Sequence, residues 1–231
     1  MNDDIITINT QSSTQWDGFR HHGDVKSGSF FMGHTQEAFE ASRVLGIDAW
    51  AQNGGLQTRG VLIDWAGWAR KRDIPINFLE GSVIPLDQVK AIIREQKIEL
   101  RPGDVLFIRS GFAGFLKTLS AQEQLNISQR SPPEYIGLES TKETLRWLWE
   151  NRFSAVAGDM VGLETIGGSN TEYLLHQWLL AGWGMPIGEL FDLEELAERC
   201  AQEGRYTFYL SSVPLKMPGG VASPPNAVAI L

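Results

Sequence analysis

Short apolar runs alternate with stretches of helical spacing along this chain, and that alternation constrains the fold most. Val61-Leu62-Ile63-Asp64 follows Gly60 as a short apolar run, the pattern of a buried strand. Leu86, Val89, Ile92 and Ile93 keep helical spacing, which predicts an amphipathic helix from Pro85 to Gln96. Arg101-Pro102-Gly103-Asp104 is a turn leading into Val105-Leu106-Phe107-Ile108-Arg109, a second buried strand that Ser110-Gly111 ends. Ser140 to Glu143 matches a capping box, and the helix it opens is expected to point Leu145, Leu148 and Trp149 inward. Ser154 to Gly158 is a third short strand with Asp159 at its end. Two more helices are expected: Thr171 to Ala181, and Asp192 to Gln202, the latter closed by Gly204. Tyr206, Phe208 and Leu210 alternate with polar residues as in a strand, and Asn226 to Leu231 form a final one. Mixed α/β architecture follows, with no internal repeat or linker. The least regular stretch, Leu119 to Ile136, is expected to be a surface excursion or lid.

With 231 residues the chain fits one domain with a sizeable core. Its net charge of −8 and lack of a basic cluster argue against nucleic acid or an anionic membrane as partner. Arg70-Lys71-Arg72, followed by Asp73, fits a solvated helix end. No apolar run approaches the ~20 residues that a membrane span needs. The acidic start MNDDIITINT has no signal-peptide pattern, so the cytoplasm is the expected location. The single cysteine, Cys200, is expected to be a buried structural thiol.

Chemistry-bearing residues concentrate in Gln11 to Asp24. Asp17 and His21 stand four apart, a spacing that lets a carboxylate orient an imidazole for acid–base work. His22 follows at once. His176 lies in an apolar helical stretch, and Glu189 follows in the apolar Gly184 to Leu190 segment. A carboxylate there needs a partner or a metal. Histidine, glutamate and aspartate together suit zinc or manganese. Trp16, beside Asp17, is the candidate wall of an aromatic-binding pocket.

These residues resemble the cyclase family, whose best-known members are the bacterial-type kynurenine formamidases of tryptophan catabolism. The family signature is H-x-G-T-H-x-D-x-x-x-H, and the matching stretch is Gln11 to His21. Thr14, Asp17 and His21 match it. Gln11 and Gln15 stand where the signature has histidine, and Ser13 where it has glycine. The likeness continues through Gly60 to Asp64, Pro102 to Gly111, Ala157 to Asp159, Leu175 to Gln177, Gly188-Glu189 and Val213 to Leu215. QWDG followed by RH, with the later HQW and GMPIGEL, looks most like a branch that carries glutamine at both places.

The resemblance implies a single α/β domain over residues 1–231, with a swivelling β/β/α core and a mixed sheet flanked by helices. It implies an N-terminus shorter than in relatives, and a homodimer or homotetramer. It also implies a divalent metal, zinc or manganese, and hydrolysis of a small arylformamide-like amide or a lactone. Carried across residue by residue, Asp17, His176 and Glu189 are metal ligands, Gln11 and Gln15 occupy ligand positions, and His21 is the acid–base. His22 and Trp16 are expected to face the substrate. An amide oxygen is a weaker and harder ligand than imidazole. Three readings therefore follow: a metal completed by glutamine oxygens or water, a metal-free site in which Asp17 and His21 activate water, or a small-ligand-binding protein without turnover.

Overall fold

The computed structural model describes residues 1–167 and 172–231. Its strands are β1 (Gln15–Asp17), β2 (Leu56–Asp64), β3 (Val83–Ile84), β4 (Val105–Arg109), β5 (Gly137–Leu138), β6 (Ala155–Gly158), β7 (Ile187–Glu189), β8 (Thr207–Ser212), β9 (Ala222–Ser223) and β10 (Ala227–Ile230). Eight of them form one mixed sheet in the order β10-β8-β2-β4-β6-β7-β1-β9, while β3 and β5 pair separately. From β2 through β7 the central strands run parallel. The flanks are antiparallel: β8 and β10 on one side, β1 and β9 on the other.

A parallel sheet is covered on both faces, so its strands are near-continuous apolar runs. All five residues of β4 are buried. Side chains alternate between faces. Val61, Ile63, Leu106, Ile108, Val156 and Ile187 enter one core; Leu62, Val105, Phe107, Ala155 and Ala157 enter the other. Helix Leu86–Glu95 packs Val89 and Ile92 against the first. Helix Glu194–Glu203 packs Ala197 and Cys200 against the second and ends at Gly204, whose φ of 63° is left-handed. Cys200 is buried, as the sequence implies, and burial pushes its thiol up to about 11. Among the described residues no helix is long and apolar enough to cross a membrane.

Several expectations are corrected. β2 begins at Leu56 because its first half pairs with β8, with Leu56 opposite Ser212. The helix after Ser140 is capped by Thr141, whose hydroxyl accepts from Thr144 N; Ser140 Oγ instead donates to the Tyr173 carbonyl. Trp149 on that helix is 58% exposed, because one turn already buries Leu145 and Leu148. The true capping box is Ser120 with Glu123, which opens helix Ala121–Ser128 inside the supposedly irregular stretch. Of the expected Thr171 to Ala181 helix, Thr171 lies outside the described residues. The wide π-helical turns Gln177–Trp183 follow His176 and continue past Ala181. The expected final strand is found as β10, exposed along its whole length at the sheet edge.

Candidate metal centre and cavity

β1 positions the first group of side chains. It lies antiparallel to β7, with Gln15 opposite Glu189, Trp16 opposite Gly188 and Asp17 opposite Ile187. Alternation sends Gln15, Asp17 and Glu189 to one face and Trp16 to the other. Trp16 is fully buried there against Trp50 and Phe191, and its indole donates to Ser212 Oγ (2.9 Å). It lines core, so the sequence-based placement in a substrate pocket is corrected. A side chain at position 188 would stand 2.8 Å from the Trp16 ring, which is why glycine sits opposite it.

The chain then turns at Gly18, where His21 N donates to Gly18 O (3.0 Å). Arg20 holds this turn by donating to the carbonyls of Ser42 (2.6 Å), Val44 (2.7 Å) and Gly219 (2.9 Å). The turn brings His21 Nε2 to 4.0 Å from Asp17 Oδ2. From the other side, the start of the π-helical segment delivers His176. Its Nε2 lies 3.1 Å from Glu189 Oε1 and 3.9 Å from Asp17 Oδ2. Its Nδ1 meets Glu164 Oε2 at 2.6 Å, and its backbone N–H donates to Glu164 Oε1 at 3.1 Å. Asp17, His21 and His176 thus offer three donor atoms within 4.8 Å of one another.

The glutamines complete the cluster. Gln11 Nε2 donates to Asp17 Oδ1 (2.5 Å); Gln15 Nε2 donates to Glu189 Oε2 (2.9 Å) and Gln11 Oε1 (3.2 Å). Glu189 Oε1 also accepts from Leu163 N (2.9 Å). Two buried acceptors, Asp17 Oδ2 and Gln15 Oε1, have no hydrogen-bond partner.

The electrostatics are those of a cation site. Asp17, Glu164 and Glu189 are all buried, and His176 is the one imidazole held positive among them. Burial alone would lower the His176 pKa, but Glu164 and Glu189 raise it well above the ordinary value. In return, although burial pushes Glu164 up, His176 holds it below the usual range. Burial, with Glu189 alongside, pushes the Asp17 carboxyl up to about 7. Burial, with His176 and His22 nearby, pushes His21 down to about 4, so its ring is neutral near pH 7. His22 shifts down for the same reasons, burial first and then His176. A carboxyl that burial first and Glu189 second push up, beside two orphaned acceptors and two imidazoles, is what a divalent cation would relieve. The mixed oxygen and nitrogen donors fit zinc or manganese. His176 Nε2 and His21 Nε2 lie 3.9 and 4.0 Å from Asp17 Oδ2, within the roughly 4.2 Å that two donors about 2.1 Å from one ion can span.

Above the cluster opens a cavity of about 400 Å³, lined by His21, His22, Val161, Ile166, Leu174 and His176 among others. His22 faces it with an unpartnered, buried Nδ1, its ring centroid 5.6 Å from that of His176. Among the described lining residues there is no lysine or arginine, and Glu164 and Glu189 both border the cavity. Glu164 and Arg20 have no signal in the sequence. Glu164 stands in a Gly-rich stretch, and its twelve-residue separation from His176 follows no helical or strand period.

The Cyclase family model matches residues 2–165. The chain is similar to the crystal structure of a novel cyclase, with a TM-score of 0.84 and 33% identity over 99% of this chain and 72% of that one. It shares its fold with isatin hydrolase A from Ralstonia solanacearum (TM-score 0.65, 18% identity, 95% of this chain and 72% of that one). The same holds for isatin hydrolase A from Labrenzia aggregata bound to benzyl benzoate (TM-score 0.66, 17% identity, 98% and 75%). Comparison of the sequence with curated proteins finds no match.

Proposed function

We propose that this chain, which belongs to the cyclase family, hydrolyses a small neutral amide or lactone with activated water. One observation carries the reading: a buried carboxylate oxygen, Asp17 Oδ2, has no hydrogen-bond partner and faces the Nε2 atoms of His21 and His176 beneath a cavity. The isatin hydrolases among the similar structures support hydrolysis as the reaction class.

Asp17 and His176, with Gln15 Oε1, would hold a divalent cation. Bound there, the cation supplies Lewis acidity to an acyl oxygen and lowers the pKa of water. The rest of the chemistry belongs to the side chains. Burial keeps the His21 ring neutral, so its Nε2 accepts the proton that the attacking water loses and returns it to the leaving nitrogen or oxygen. Glu164 holds a proton on His176 Nδ1, which leaves Nε2 aimed at Asp17 and Glu189. Val161, Ile166 and Leu174 supply the apolar wall for an aryl or alkyl portion of the substrate. With no lysine or arginine in the described lining and two carboxylates beside it, a neutral substrate fits the cavity better than an anionic one.

The test compares neutral arylformamides, lactams and lactones with counterparts that carry a carboxylate. Turnover of a neutral compound, lowered at least ~100-fold in His21→Ala with unchanged circular dichroism, is the expected result. Undiminished turnover in that variant would end the reading. A second reading, ligand binding without turnover, draws on one observation: the glutamine amides already satisfy Asp17 Oδ1 and Glu189 Oε2. It predicts saturable binding without product.

A further inference from the structure

Two adjacent histidines line the cavity, and the proposed reaction uses only the first. The polar side chains of the described lining divide by what already holds them. Gln11 is bonded to Asp17 and Gln15, Glu164 to His176, and Glu189 to Gln15 and Leu163 N. The Thr165 hydroxyl serves the carbonyls of Ser82 (3.2 Å) and Gly137 (3.0 Å). His176 is held between Glu164 and Glu189. His21 stands beside Asp17 as the acid–base. That leaves His22, which has no hydrogen bond to another side chain among the described residues. With Nδ1 buried, Nε2 is the ring nitrogen that remains for the cavity.

The backbone around His22 is tied on both sides. Arg20 fixes the preceding turn through three carbonyls. Beyond it, Asp24 N donates to Ser29 O (2.8 Å) and Val25 N to Gln177 Oε1 (3.3 Å). Gly23 packs so closely that a Cβ there would stand 3.2 Å from the Ser29 carbonyl oxygen. The His22 ring therefore sits on fixed backbone, its centroid 6.4 Å from that of His21 and 5.6 Å from that of His176. A polar group fixed in advance binds without the cost of ordering it.

We infer that His22 anchors the substrate: its Nε2 hydrogen-bonds the amide or lactone group that water attacks beside His21, so the adjacent histidines divide binding from proton transfer. This rests on the hydrolase reading and deepens it. A hydrogen bond is about 2.9 Å long, so two from neighbouring rings at this spacing reach the same small group. An imidazole nitrogen donates or accepts according to its tautomer, and an amide offers it both a carbonyl and an N–H.

The test uses the full chain with formanilide, a neutral amide, and phthalide, a neutral lactone. Binding is measured by calorimetry and hydrolysis by steady-state assay. His22→Leu removes the ring nitrogen; His22→Gln returns a polar group near the Nε2 position. For the probe that wild type binds, His22→Leu is expected to weaken binding and raise KM about 10-fold, with kcat changed less than about three-fold. His22→Gln is expected to recover most of the affinity, with melting temperatures unchanged in both variants. A leucine variant that binds like wild type, a glutamine variant as weak as leucine, a kcat that falls while KM holds, or no binding of either probe by wild type would each overturn the inference. The expected pattern of affinities without turnover would sink the hydrolase reading and leave the anchor standing.

Discussion

Replacing Glu164 by glutamine tests how the centre is held. Glu164 accepts twice from His176, at 2.6 Å from Nδ1 and 3.1 Å from the backbone N–H. It is 3% exposed, so water cannot substitute. An amide has one acceptor oxygen. If that oxygen keeps the backbone N–H, the new NH2 faces Nδ1, and donor meets donor. The ring then moves its hydrogen to Nε2, the atom that faces Asp17 and Glu189. A ligating nitrogen becomes a donor, and the site loses one negative charge as well. Outer-shell changes of this kind cost 10- to 100-fold in metal affinity, about 1.4–2.7 kcal/mol. Losing a charge-assisted bond costs folding stability about 1.5–3 kcal/mol. Manganese calorimetry on wild type and Glu164→Gln, with a thermal melt of each, measures both terms. An affinity within two-fold of wild type would refute the claim that Glu164 sets the His176 tautomer.

Metal affinity should rise with pH between about 6 and 8, because the ion competes with a proton on Asp17, whose carboxyl burial pushes up to about 7, and on His176, held well above its ordinary value. Calorimetry across that range checks it, and a flat profile would contradict it. Arg20→Lys should lower turnover at least ~10-fold in steady-state assays, since an ammonium cannot span the carbonyls of Ser42, Val44 and Gly219 that fix the His21 turn. Asp159→Ala strands Ser110 N and Gly111 N, which donate to it at 2.6 and 2.8 Å. It should cost about 2–4 kcal/mol, read as a melting temperature lower by roughly 5–15 °C.

The central fold is legible in the sequence wherever burial on both faces leaves an unbroken apolar run. β4 is the clear case, predicted and found at Val105–Arg109. β1 is not legible. It has three residues, two of them polar, and is a strand only because β7 and β9 flank it. That unpredicted strand explains the Trp16 correction, since period-two alternation turns Trp16 away from whatever Asp17 faces. Local side-chain chemistry misled at Ser140, where a neighbouring threonine competes for the same cap and wins because Ser140 is drawn to Tyr173.

At the site, the sequence could nominate donors but not their partners. Asp17, His21, His176, Glu189 and both glutamines do converge, on three separate segments that the strand order β7-β1-β9 and the His176 turn bring together. What spacing could not carry is the sign of each contact. A glutamine in a ligand position is chemically two-sided, an oxygen for a cation or an NH2 for a carboxylate, and only the neighbour decides. Here the neighbours of Gln11 and Gln15 are carboxylates, so the NH2 groups turn to Asp17 Oδ1 and Glu189 Oε2, Gln11 Oε1 accepts from Gln15, and Gln15 Oε1 is left without a partner. The residues that look like lost ligands therefore meet Asp17 and Glu189 through their NH2 groups, and Gln15 Oε1 is the amide oxygen of the pair left without a partner.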